Sequence, residues 1–344
     1  MKRLLLLFII FLSTGVFAQI GGNYSFPFID LSYNARSLGL GGDFITGRDQ
    51  DINMGIENPS LLNSEMNSAI GFNHALMAGG INYGMVNYGY DLSFGTMATY
   101  IKYVSYGTMD RTTINGIKEG TFSPIEMVVG SGVGKTINKR LSVGADLNFI
   151  YSQLETYNAF GASIDFAGTI RDDEKGYLVT ALAKHVGVQF DSYVQDGQRS
   201  ALPIEFQLAG AYKIPHAPFR FTVLAHHLNT WDLSYTDPDA QPTVDALTGD
   251  TIPVPKAGFA EKLGRHFTIQ LETIIGKNIH LRTAFDFNRR KELALAARPG
   301  AAGLSFGLGL YFKKFSLDYG FMIYSRAGFN NMITLSTHLS EWRK

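Results

Sequence analysis

Strict two-residue alternation, carried over segments long enough to cross a bilayer, is the feature that most constrains this chain. Leu141, Val143, Ala145, Leu147, Phe149 and Tyr151 alternate with Ser142, Gly144, Asp146, Asn148, Ile150 and Ser152. Successive side chains of a strand point to opposite faces, so one face here is apolar and the other almost wholly polar or small. The pattern recurs along 279–288, 303–312 and 315–324. A soluble sandwich also alternates, but such segments run about 9–13 residues, the length of a tilted membrane-crossing strand, where ordinary strands have about 5–6. Several are rimmed by Tyr, His or Trp, as an interfacial belt would be.

Fourteen segments of this kind begin near Ser68, Gly80, Leu92, Pro124, Arg140, Glu155, Gly176, Ile204, Phe219, Gly264, Ile279, Ala302, Phe315 and Asn330. An even count suits a closed single-chain barrel. With the N-terminus in the periplasm, the periplasmic connections (89–91, 137–139, 171–175, 215–218, 276–278, 313–314) are all short. Every long connection falls in the other set: 105–123, 188–203, 229–263 and 289–301. Short turns on one side and long loops on the other mark an outer-membrane barrel. The fold class is therefore all-β, a transmembrane antiparallel β-barrel of about fourteen strands over residues 68–344.

Composition agrees. Charged residues make up 17 % of the chain, aromatics 13 %, and glycine 37 of 344 residues, which suits a sheet with one face in lipid and is poorer in charge than the roughly 25 % of soluble domains. Basic and acidic residues balance at 30 each, which excludes the basic face a nucleic-acid binder needs. The absence of cysteine rules out disulfides and thiolate metal sites. Residues 1–18 read as a signal peptide. Lys2 and Arg3 precede the apolar run Leu4 to Leu12, and Val16-Phe17-Ala18 sets cleavage after Ala18. No later segment makes a spanning helix; the nearest, Leu293 to Phe312, carries Arg298, Pro299 and repeated glycines. Residues 19–67 fit no strand length and read as a periplasmic arm or as a plug in a lumen wide enough to need filling.

Several motifs imitate chemistry. Gly130 to Thr136 resembles a phosphate loop, but Val129 stands where its first glycine is needed, and no helix follows. Gly303-Leu304-Ser305-Phe306-Gly307 fits a nucleophile elbow, with Asp318 and His338 in hydrolase order, yet alternation runs straight through Ser305. Asp49, Asp51 and Asn53 begin a calcium-loop pattern that fails at Met54 and Ser60. His226 and His227 are adjacent in a strand and so point to opposite faces, unable to share a metal. Asp146, Glu205, Gln270, Glu272, Arg282, Asp286 and Asp318 share the polar parity and read as a salt-bridged lumen. No Ser-x-x-Lys occurs. The reading is a non-enzyme with no catalytic residue, cofactor or metal.

The segment Asn34-Ala35-Arg36-Ser37-Leu38-Gly39-Leu40-Gly41-Gly42, then Asp51-Ile52-Asn53, then Asn58-Pro59-Ser60-Leu61 resembles the N-terminus of the PorV/PorQ family of type IX secretion barrels, part of the wider FadL-like group of fourteen-stranded barrels. The opening Gly21 to Phe28 and the length are most similar to its PorQ branch. Gly41, Gly42, Asn58, Pro59 and Ser60 form the plug motif on this resemblance. It implies an anchoring role in the complex that attaches secreted cargo, beside a PorZ-like surface protein and with PorU and PorV. The loop 229–263, with Trp231, Tyr235, Pro238 and Pro253, is the candidate docking surface. The rival reading is a FadL-like transporter of hydrophobic small molecules, which needs an apolar pocket.

Overall fold

In the computed structural model each alternating segment becomes a strand of one closed barrel. The structure describes residues 24–342 except 195–196, 198, 236–240, 245–248, 250, 255, 294–299 and 326–327. The signal peptide with its cleavage site, Gly21 to Asn23, Pro238, Arg298 and Pro299 lie outside the described residues.

The fourteen barrel strands are β1 (Ala69–Leu76), β2 (Asn82–Leu92), β3 (Gly95–Ser105), β4 (Ile125–Thr136), β5 (Leu141–Leu154), β6 (Tyr157–Asp172), β7 (Tyr177–Gln189), β8 (Glu205–Lys213), β9 (Phe219–Ala225), β10 (Phe267–Ile275), β11 (Ile279–Asp286), β12 (Leu304–Tyr311), β13 (Phe315–Ser325) and β14 (Gly328–His338). Each pairs antiparallel with its neighbour, and β1 closes on β14 in the register Ala69↔His338 to Leu76↔Asn331. Closure leaves no unpaired edge, the condition for backbone to sit in hydrocarbon. The parity holds along β5. Val143, Leu147 and Phe149 are exposed on the outside, while Ser142, Asp146, Asn148 and Ser152 are buried inside.

Loop lengths segregate as expected. One rim carries only the short turns 93–94, 137–140, 173–176, 214–218, 276–278 and 312–314, and the opposite rim carries every long connection, 106–124, 190–204, 226–266 and 287–303, beside the short turns 77–81 and 155–156. The long connections hold structure of their own. The first contains a ribbon of Met109–Thr112 with Lys118–Phe122. The 226–266 loop is not structureless, as a single irregular segment would be: it has a short ribbon, Thr243–Val244 with Thr251–Ile252, and the helix Phe259–Gly264. Phe287, expected to extend β11, instead opens the helix Phe287–Leu293.

Residues 24–67 pack inside the barrel, against the inner face of the wall. Tyr24 bridges to Ala201 at the long-loop rim, and Ser68 N donates to Gly89 O at the short-turn rim, where β1 begins. The segment therefore enters at the outer mouth and descends the full height of the barrel. Helix α1 (Ala35–Gly39) packs against β12, β13 and β14, and helix α2 (Ile52–Glu57) against β1, β2 and β3. Asn34 and Asp51 cap them, each side chain accepting a backbone N–H of the first turn. Phe26, Tyr33, Leu38, Ile52 and Met66 are almost wholly buried with inward barrel residues such as Tyr83, Met85 and Met332. The plug is thus a core packed inside a wall whose other face is apolar.

Candidate functional site

The plug seats on inward glycines of the wall. At Gly134 and Gly144 the backbone of Pro59 lies where a Cβ would sit, and Gly320 receives Ala35 in the same way. A Cβ on Gly39 would fall 2.8 Å from Gly307 Cα. Gly134 of the phosphate-loop look-alike and Gly307 of the elbow look-alike are therefore contact surfaces for the plug, while Gly130 and Gly132 lie against Tyr100 and Asp146 of the wall. Ser305 is buried beside Ala284 and Met322 in an unbroken ladder. Asp318 pairs four steps further along β12, with Gly309, roughly 13 Å away at strand rise. His338 binds Glu65 O at the short-turn rim, so the three hydrolase-order residues do not meet. Ser305→Ala is expected to leave folding and cellular function unchanged; loss of function at normal membrane levels would overturn that.

Each residue of the plug motif has a geometric task. Gly41 (φ 94°) and Gly42 (φ 108°) adopt the left-handed region that favours glycine, which lets Gly42 N return to Ser37 O at 2.8 Å. Asn58 Oδ1 accepts from Ser60 N at 3.0 Å and Ser60 Oγ at 2.7 Å, and Pro59 starts the 3-10 turn that follows. Asn58 Nδ2 donates to Ile45 O at 2.8 Å and Thr180 Oγ1 at 3.0 Å. The Ser60 hydroxyl lies 2.6 Å from that of Thr169. Asp49, Asp51 and Asn53 form the hydrogen-bonded turn that their spacing suggested, with Asp51 Oδ1 accepting from Asn53 N at 3.1 Å.

Two ionic lattices bind plug to wall. In the lower one, Arg36 reaches Glu272 at 3.1 Å and Asp49 at 2.8 Å, with Asp51 at 3.5 Å. Glu272 also holds Arg220 at 2.8 Å and Arg282 at 3.2 Å, and Arg282 pairs with Asp318 at 2.5 Å. The lumen reading of Glu272, Arg282 and Asp318 holds; the plug cation they converge on was not legible. In the upper lattice, Lys184 meets Asp43 at 3.0 Å and Glu205 at 3.5 Å, and His185 Nε2 meets Asp30 at 2.9 Å. Adjacent residues point inward together because β7 bulges opposite Asp165. His185 takes φ 57°, and its N–H donates to Asp165 Oδ1 at 2.6 Å. Burial shifts plug carboxyls in opposite senses according to their partners. It pushes Asp51 up to about 6 and Glu57 up to about 7, outweighing Arg36 and Lys102 respectively. For Asp43 the burial is overridden by Lys184, which holds it below the usual carboxylate range.

The plug separates two hollows. At the outer mouth a cavity of about 500 Å³ lies between the plug's first turn and the 190–204 loop, walled by Phe26, Pro27, Tyr106, Leu154, Tyr193 and Glu126. Below, a more polar vestibule of about 660 Å³ opens between Asp49, Asp51, His280, Lys313 and Lys314. A larger hollow of about 970 Å³, under Phe166, Phe206 and Leu208, lies largely along the lipid-facing wall over Gly168, Ala181 and Ala183, where acyl chains would fill it. Of the docking candidates, Trp231 is 52 % exposed and rests on Phe259 and His266, Tyr235 is 64 % exposed, and Pro253 lies in the same loop.

The placement of His226 and His227 corrects the sequence reading. The strand stops at Ala225, and His227 turns back with φ 53°, so the two Nδ1 atoms lie 2.8 Å apart. Both rings converge with Glu205 instead of diverging.

Among solved structures, the chain is similar to the toluene transporter TodX of Pseudomonas putida (TM-score 0.55, 13 % identity, 90 % of this chain and 98 % of that one). It is also similar to the toluene transporter TbuX of Ralstonia pickettii (TM-score 0.51, 10 % identity, 90 % of this chain and 99 % of that one). The likeness to both is one of fold. At the level of sequence, no protein-family model and no curated protein matches the chain. A closed fourteen-strand wall with an apolar exterior places the protein in the outer membrane.

Proposed function

We propose that this barrel is a gated outer-membrane channel for small hydrophobic molecules and carries out no chemistry of its own. The supporting observation is that the outer-mouth cavity shares a wall with the gate. Phe26, in the first turn of the plug, faces Tyr193 of the loop at 6.2 Å between ring centroids. An apolar molecule entering between these rings would press on the residue that begins the plug, so capture and unseating are mechanically joined. Aromatic walls with a few polar groups suit a compact apolar solute, and the two solved structures of like fold are both described as toluene transporters. The fully packed lumen requires that the plug shift for passage. The test is calorimetric titration of the purified barrel with a monoaromatic hydrocarbon, alongside uptake by an outer-membrane-channel-deficient host. Tyr193→Ala is expected to weaken binding at least about tenfold, by removing one aromatic face. Absence of binding, with uptake equal to that of the empty host, would sink the channel reading.

A second reading is favoured by the exposed Trp231 and Tyr235 and by the plug motif: membership of the PorV/PorQ family, with a PorZ-like surface protein, and PorU and PorV, as partners. Large aromatics with few rotors serve as interface anchors. Replacing residues 236–258 with a short glycine-serine linker leaves every barrel strand intact and is expected to release that partner on co-purification. Undiminished recovery would place docking elsewhere.

A further inference from the structure

We propose that Glu205, His226 and His227 form a divalent transition-metal site at the outer rim of the barrel. Their donor atoms all lie within 4.8 Å of one another. Glu205 opens β8 and His226 follows β9, two paired strands, so the wall itself fixes the distance between carboxylate and imidazoles. His227 supplies the third donor only because its backbone is left-handed (φ 53°); continued as strand, its ring would point to the opposite face. A non-glycine residue in that conformation is strained and persists only where the surroundings hold it. Here His227 N donates to Glu205 Oε1 at 3.1 Å, and the His227 Nδ1 lies 3.3 Å from the same oxygen.

The surroundings complete the case. Glu205 and His226 are buried, and His227 is half exposed, so an ion could enter from outside and be held against the wall. The Glu205 carboxylate is oriented from both sides, by Gln207 Nε2 at 2.9 Å on Oε1 and by Lys184 at 3.5 Å on Oε2. Metal-ligating carboxylates are commonly fixed by such outer partners. His226 is anchored through its backbone, its N–H donating to His266 O and its carbonyl accepting from His266 Nδ1, both at 2.9 Å. Its Nε2 has no hydrogen-bond partner. Lys184 and the neighbouring Arg289 are offset by Asp43, Asp286 and Glu205, so the local charge does not oppose a dication. Two imidazoles and one carboxylate suit zinc and its neighbours in the first transition row better than calcium or magnesium, which want oxygen. Three protein donors leave a fourth position of a tetrahedral ion facing the medium at His227, open to water or an external ligand. The site stands at the root of the 226–266 loop, so a bound ion would tie that root to β8.

The test uses the full mature barrel, refolded or extracted in detergent, with zinc ion alone as the probe. Calorimetry is expected to show one zinc per chain at micromolar affinity or tighter, and cobalt substitution to give the visible absorption of a four-coordinate ion. His227→Ala, at a half-exposed position, and Glu205→Gln are each expected to weaken binding at least tenfold, with the heat-modifiable gel mobility of a folded barrel retained. His338→Ala, at the opposite rim, is expected to change nothing. Zinc binding that is absent, substoichiometric or unaltered in folded His227→Ala overturns the assignment.

Discussion

Glu272→Ala is expected to open the lumen without dismantling the wall. Glu272 is the shared partner of Arg36 from the plug and of Arg220 and Arg282 from the barrel, and it is almost fully buried. Deleting one member of a buried ion set strands the others without compensation, at about 3–5 kcal/mol. If that cost falls on plug seating, the unseated population rises roughly 10²–10⁴-fold. The strand ladder on both sides of Glu272 is backbone hydrogen bonding and remains. In planar bilayers the variant should show large, sustained conductance where the parent is nearly closed, at unchanged heat-modifiable mobility. A folded variant as closed as the parent would mean that the lattice does not hold the gate. Proton concentration should modulate the same equilibrium. Asp51 and Glu57 bind protons more tightly when buried, near 6 and 7, than in a free chain, near 4. Unseating therefore releases protons, and these two groups hold the plug more firmly in acid, their contribution weakening as pH rises from about 4 through 7.

Leu147→Arg is expected to destabilise the inserted barrel by about 2–4 kcal/mol, the cost of a guanidinium facing hydrocarbon near the midplane. Leu147 lies in the middle of β5 and points outward at 40 % exposure. The inward neighbour Asn148 accepts from Tyr100 OH at 2.7 Å and donates to Asp146 at 2.9 Å. Asn148→Ala removes neutral or singly charged hydrogen bonds worth about 1–2 kcal/mol net. Urea unfolding from liposomes measures both. Equal, small losses would show that this face of β5 does not meet lipid.

The chemistry-like motifs show how one residue type serves two ends. Glycines in phosphate loops and nucleophile elbows allow close approach of a ligand or a sharp turn. In β4 and β12 they allow close approach of another segment of the same chain, Pro59 at Gly134 and Gly39 at Gly307. The sequence pattern is blind to what approaches. Val129 in place of the first glycine, the absence of a following helix, and the unbroken alternation through Ser305 separated the cases beforehand.

By itself the sequence determined the wall: fourteen strands, their parity, the closed all-β class and the sorting of short turns from long loops. These are local properties, since a two-residue period can be read within ten residues and a turn within four. The contents of the lumen were decided by tertiary structure. Arg36 and Glu272 are 236 residues apart, and a side chain's parity says that it faces inward without saying what it will meet there. The same limit applies to two of the places where a non-glycine backbone leaves the strand region. His185 and His227 adopt left-handed conformations, and no residue before or after them announces it. At His185 the bulge turns a second side chain of β7 into the lumen beside Lys184; at His227 the turn brings together two imidazoles that strict alternation would have set on opposite faces, because the alternation rule holds only while the backbone stays extended.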